Sequence, residues 1–360
     1  MKRILYIFLL LHLPISVLFA QSKYTLLETA EPQSIYSSLL VVKNSTSDWT
    51  PQDFLALEQT QITAYTVSKS DTVNDKGAAF WAVFEIENPF DREFNGVLEV
   101  GGMDEAFLHS VLPNGEIITK KSGRLIPASQ REIQEGTPKE VRFTIQVPAL
   151  ATGKFMLQLK NPTGNPIYFN DASIQQISTW KDIFYQKEKR KTMMMGLVVG
   201  FASIMFLYNL FIFFLSGDRV YLLYALYIFF PMLYILAILG ALNLTFVGEN
   251  PIVYLYFRVL PPILTMLFYL YFIRVFLNTS KNYPKWDRTF RWLIWGEWFC
   301  LVFGLITVPT LNEFLFKMVP IAIHALVQVA SLLLLLRLLF KKEKSKMSIY
   351  FVVGSAFFFG

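Results

Sequence analysis

TMMMGLVVGFASIMFLYNLFIFFL, residues 192–215, runs for 24 residues without a formal charge. At about 1.5 Å of rise per residue, a helix of this length crosses the roughly 30 Å hydrocarbon core of a bilayer. Working outward, comparable apolar segments lie at 219–241, 253–277, 291–309 and 316–339, and another begins at Met347. Short polar links separate them. Residues 186–360 therefore read as an α-helical polytopic membrane domain. The last segment, 347–360, ends after 14 residues. A helix stopping there would leave its final carbonyls unsatisfied in lipid, so the sequence predicts a chain that continues past Gly360.

Composition supports two unlike halves. Hydrophobic residues make up 54% and charged residues 17%, against about a quarter charged in ordinary soluble domains. Residues 21–185 have a soluble mixture, and the long apolar runs lie before or after them. The net charge of +6 and pI near 9.1 come largely from Lys and Arg in the links. They point to membrane topology rather than to nucleic acid.

MKRILYIFLLLHLPISVLFA, residues 1–20, has the basic start, apolar core and small final residue of a secretory signal peptide. An uncleaved N-terminal anchor is the alternative, and either one exports residues 21–185. The exported segment has no cysteine; Cys300, the single one in the chain, falls in the fourth apolar segment. The domain must therefore hold together by its core.

That domain reads as mainly β. FWAVFEIEN (80–88) alternates Phe80, Ala82, Phe84 and Ile86 with Trp81, Val83, Glu85 and Glu87, the period of a half-buried strand. Further strands are expected near 94–100, 105–112, 116–120, 140–147, 154–160, 166–170 and 172–178, with a Pro-Asn-Gly turn at 113–115. A short helix is expected near 50–59, where Thr50, Pro51 and Asp53 supply a cap, a first-turn proline and an early acid. Short strands with regular turns predict an all-β sandwich or jelly roll.

The chain resembles the bacterial seven-transmembrane receptors with diverse intracellular signalling modules. In the exported domain the resemblance rests on FWAVFEIENP (80–89), Asp104 before FLHSVLPNGE, GRLIPASQR (123–131), VRFTIQVP (141–148) and FMLQLKNPTGNPIYF (155–169). In the membrane domain it rests on YNLFIFFLSGDRVYLLYALY (208–227) and YFIRVFLNT (271–279). It implies a periplasmic jelly-roll sensor similar to carbohydrate-binding domains, seven helices and a cytoplasmic output domain. Gln158 departs from the Arg expected in the strand before the Asn-Pro turn. An extracellular small molecule or glycan is then the expected ligand. Trp81, Asp104, Arg124 and Arg131 are the candidate ligand-binding residues, as aromatic and charged groups on a solvated jelly-roll face.

Charge placement orients the helices. With the exported domain outside, the links near 216–219, 277–290 and 340–346 are cytoplasmic. They hold or adjoin Arg219; Arg274, Lys281, Lys285, Arg288 and Arg291; and Arg337, Lys341, Lys342, Lys344 and Lys346. The links near 242–252 and 310–315 hold no Lys or Arg, as the positive-inside rule requires. This predicts an outside N-terminal domain and a seventh helix beyond residue 360; with the resemblance, it implies a bacterial inner-membrane protein whose N-terminal domain is periplasmic.

Polar residues inside the helices need a reason. Glu297 lies near the cytoplasmic end of the fourth segment, Arg274 is the expected partner, and Asn209 has similar depth. His324, Gln328 and Ser331 form one stripe on the fifth segment. Together, Asn209, Arg274, Glu297, His324 and Gln328 make an expected intramembrane polar network. Arg258 can snorkel to the headgroups. Gly196, Gly200 and Ser203 mark close helix packing, with a homodimer interface as the second reading.

Nothing in the sequence points to catalysis. Histidines 12, 109 and 324 have no metal-ligand spacing, and no phosphate loop or nucleophile elbow is present. No cofactor, metal site or catalytic residue is expected. The competing class is a polytopic transporter or membrane-bound enzyme with an exported β domain.

Overall fold

The computed structural model describes residues 23–44, 49–56, 64–66, 72–73, 77–112, 114–137, 140–164, 167–168, 172–243 and 245–339. The expected signal peptide and the sixth helix lie outside the described residues. The chain divides into two compact units: Met1–Lys191 with Leu242–Pro251, and Thr192–Ala241 with Ile252–Gly360.

The first unit is a β-sandwich. Its strands are β1 (Lys23–Thr25), β2 (Gln33–Ser34), β3 (Leu40–Asn44), β4 (Ala64–Thr66), β5 (Thr72–Val73), β6 (Ala79–Glu87), β7 (Phe94–Val100), β8 (Glu105–Val111), β9 (Ile117–Ser122), β10 (Val141–Val147), β11 (Thr152–Lys160), β12 (Ile167–Tyr168) and β13 (Ser173–Gln176). One sheet runs β4-β3-β6-β11-β8-β9, with β1 pairing β6 in parallel, and the other runs β10-β7-β13-β2. Their facing residues share one core. Phe80, Phe84, Leu108, Phe155 and Leu157 of the first meet Leu98, Phe143, Ile145 and Ile174 of the second.

Strand β6 departs from the half-buried expectation. Its even positions enter the main core, while Ala79, Trp81 and Val83 on the other face are buried as well. The cause is α1 (Pro51–Ala56), whose Phe54 ring stacks on Trp81 at 4.7 Å between centroids. The helix begins with a reciprocal cap: Asp53 N donates to Thr50 Oγ1 at 3.1 Å, and Thr50 N donates to Asp53 Oδ2 at 2.9 Å.

The second unit is helical. Helix α2 (Ile177–Ser216) starts in the first unit and runs unbroken for 40 residues. The others are α3 (Arg219–Ile238), α5 (Pro251–Phe276), α6 (Thr279–Asn282), α7 (Pro284–Thr307) and α8 (Val319–Leu339), with α4 (Phe246–Glu249) in the loop assigned to the β unit. A π turn, Phe314–Met318, precedes α8. Among the described residues, five segments are long and apolar enough to cross a membrane. Leu267, Leu270, Ile273 and Phe290 form the packed interior, whereas Phe201, Phe211, Trp292 and Trp295 stay exposed, the outward apolar surface that lipid requires. The expected close packing at Gly196 and Gly200 is not found: a Cβ added at either would meet nothing within 4 Å among the described residues.

Candidate functional site

The four candidate ligand residues do not share a solvated face. Asp104 is fully buried and Arg124 is 3% exposed, and the two form an ion pair through Arg124 Nε and Asp104 Oδ1. Asp104 Oδ2 accepts from the Thr163 amide at 2.9 Å and its hydroxyl at 2.6 Å, while Arg124 Nη2 donates to Thr163 Oγ1 at 2.7 Å. The Asn161 side chain accepts from Asp104 N at 3.0 Å. Gly123, at φ +126°, sits so close that a Cβ would lie 2.4 Å from the Asp104 carbonyl. These groups tie β8 to the turn after β11. Trp81 is likewise buried, between Phe54 and His109. Burial lowers the His109 imidazole from 6.5 to about 4, a Gln158 hydrogen bond opposing the fall and Lys160 adding to it.

Arg131 has a different task. Its Nε donates to the Ile126 carbonyl at 2.8 Å and its Nη1 to Asn243 Oδ1 at 2.7 Å. Asn243 Nδ2 donates to the Gln134 carbonyl at 2.6 Å, and Ser129 binds both oxygens of Glu249, at 3.0 and 2.6 Å. Asn243 and Glu249 belong to the α3–α5 loop, which is thus clasped into the β unit. Gly248 permits the loop's fold, because a Cβ there would come within 1.7 Å of the Asn243 carbonyl.

The polar groups of the helical unit also regroup. Arg274 does not pair with Glu297. Its Nε and Nη2 reach Asp287 at 2.9 and 3.3 Å, where Thr279 Oγ1 also donates at 2.7 Å and Arg291 approaches at 3.1 Å. Glu297 is ten residues further along α7, about 15 Å of helix, so Asp287 meets Arg274 first. Asn209 turns back on its own helix, donating to the Met205 carbonyl at 2.7 Å.

What remains of the expected network is a chain of three. His324 Nδ1 lies 3.1 Å from Glu297 Oε1, and Gln328 Nε2 lies 2.9 Å from His324 Nε2. Ser331 is occupied by the Val327 carbonyl at 2.7 Å. Glu297 is fully buried, and its Oε2 has no hydrogen-bond partner among the described residues. A buried carboxylate with spare acceptor capacity leaves a polar atom that a rearranged neighbour could satisfy.

The start of α2 is welded to the β unit. Trp180 and Phe184 are buried beside Val97, Trp180 Nε1 donates to Glu99 Oε1 at 3.0 Å, and the Arg142 guanidinium lies over both rings at 5.5 and 4.7 Å. Asp287, the loop clasp and this weld were all missed by sequence reasoning. Only the last had a visible signal, Trp and Phe four residues apart in a polar stretch.

An N-terminal β domain followed by apolar helices that hold a buried acid–imidazole pair defines a multi-span membrane protein. Residues 191–360 match the family model described as 7TM diverse intracellular signalling, so the helical region is similar to the seven-transmembrane receptors of that family. The family is a receptor domain rather than a catalytic one. No match was found among curated proteins.

Proposed function

We propose that the β unit lies outside the cytoplasmic membrane, binds a small molecule of carbohydrate type, and passes its bound state through the helices to a cytoplasmic output region. The observation that carries this reading is the continuity of α2. Its first turns are buried in the β unit through Trp180 and Phe184, and the same unbroken helix goes on into a stretch long and apolar enough to cross a membrane. An unbroken helix transmits rotation and tilt, because its hydrogen-bond ladder resists local twisting. Within the bundle, Glu297 and His324 supply the element with two arrangements, since Glu297 Oε2 has no hydrogen-bond partner among the described residues and can take a new donor.

Two measurements test it. A membrane-impermeant maleimide should label Lys121→Cys in intact cells and leave Lys281→Cys unlabelled; the reverse pattern overturns the topology. Inserting two residues in the exposed stretch after Lys189 rotates the helix ends by roughly 200°, and inserting four rotates them by roughly 400°, close to one turn. Amide exchange in the 277–283 link should change with the first insertion and return with the second. Identical exchange in all three proteins overturns the relay.

A further inference from the structure

The β unit contains an open cavity of about 260 Å³. Its walls come from three segments: the loop after β1, the turn between β6 and β7, and the junction of β13 with α2. Each wall is held by a buried side-chain amide. Asn88 Nδ2 donates to the carbonyls of Arg92, Pro148 and Val147 at 2.7, 2.9 and 3.2 Å, and Asn88 Oδ1 accepts from Phe90 N at 3.1 Å. Gln33 bonds both backbone groups of Leu27 at 2.9 Å, and Gln175 Nε2 donates to the Ala30 carbonyl at 2.7 Å. Burying three amides to shape surface loops makes a cavity whose walls are set before anything binds.

The lining combines Phe90 and Phe94 with Glu28, Arg92, Glu93 and Gln176. Phe94 lies over bare backbone: a Cβ at Gly96 would fall 2.4 Å from its ring. Arg92 pairs with Glu28 at 2.7 Å and lies 5.9 Å from the Phe90 centroid. Aromatic faces suit the C–H surface of a small ring, and planar carboxylate, guanidinium and amide groups suit paired hydroxyls. Two carboxylates against one guanidinium disfavour an anion. The volume falls below the roughly 300 Å³ at which sites for larger ligands begin, so it takes one ring.

We propose that this cavity binds an uncharged, hydroxyl-rich molecule the size of a single sugar ring, and that Gln176 and Thr179 pass its presence directly to α2. Thr179 is the third residue of α2 and lines the cavity with Gln176, the last residue of β13. The proposal deepens the receptor reading and rests on it.

The test uses the full chain in lipid nanodiscs and saturation-transfer NMR with methyl glycosides of common hexoses, pentoses and N-acetylhexosamines. At least one should receive saturation, with affinity falling tenfold or more in Glu93→Gln/Gln176→Ala, and amide exchange over 176–180 should slow on binding. Both substituted side chains are exposed, so the melting midpoint should match wild type; if the double variant fails to fold, Thr179→Val serves in its place. Binding that survives every variant puts the ligand elsewhere and overturns the cavity while leaving the receptor reading standing. Binding without slowed exchange overturns the direct link to α2. No transfer to any glycoside overturns the proposal altogether.

Discussion

Asp104 in the β unit and Glu297 among the helices are both fully buried carboxylates, and their surroundings treat them oppositely. Asp104 has a guanidinium on one oxygen and the Thr163 amide and hydroxyl on the other. Among the described residues Glu297 has one hydrogen-bond partner, His324, and an oxygen with none. A saturated carboxylate can change state only by dismantling the structure around it. An unsaturated one can gain a donor while every backbone bond stays in place. The contrast separates a group that specifies a fold from one that lets a packed bundle have two states.

The largest expected effect breaks the saturated site. Asp104→Asn removes the carboxylate that faces the buried Arg124 guanidinium, which costs about 3–5 kcal/mol. Denaturant unfolding followed by tryptophan fluorescence should show that loss, and a loss below about 1 kcal/mol would remove the contrast.

A titratable group without an opposite charge tests the β unit next. The His109 imidazole is lowered from 6.5 to about 4, chiefly by burial. Between those pH values the unfolded chain binds a proton that the folded one refuses, so stability is present above pH 6.5 and falls as pH drops toward 4, by about 3 kcal/mol. In His109→Gln the unfolding midpoint should lose that part of its pH dependence; an unchanged slope counts against a neutral buried imidazole.

The loop clasp gives a smaller effect. A double-mutant cycle on Arg131→Ala and Asn243→Ala should return a coupling of about 1.5–3 kcal/mol, as for hydrogen bonds to charged groups. Additive single changes would mean that the loop does not depend on the contact.

The smallest expected effect lies at the unsaturated site. Glu297→Gln keeps a polar group to meet His324 at nearly the same volume, so the melting midpoint should move by the equivalent of less than about 1 kcal/mol, or rise. A loss as large as that of Asp104→Asn would place both carboxylates in one class.

Much of the fold could be read in advance because the signals are periodic. β7 occupies the expected 94–100, and most other expected strand and helix limits shift by a few residues. The strands β1 to β5 went unread, as did the polar first fifteen residues of α2. Hydropathy marks the membrane portion of that helix but not the charged run before it, which is helical because its residues favour helix and its start is packed in the β unit. The site was harder. Alternation exposes Trp81, and only a covering helix from a distant part of the chain buries it. Depth in the membrane suggested Arg274 for Glu297, yet Asp287 comes closer once Asn278 adopts a left-handed turn, at φ 45°, at the end of α5.

The sequence by itself determined that this chain has an N-terminal β domain and a polytopic helical membrane domain, because apolar run length and alternation are local properties that bilayer thickness and sheet geometry read directly. Tertiary structure alone decided which polar groups meet. Ion pairs and hydrogen bonds depend on distances of about 3 Å between residues far apart in the chain. Asp104 with Arg124, Arg131 with Asn243, and Glu297 with His324 are separated by 20, 112 and 27 positions, and no local pattern encodes those separations.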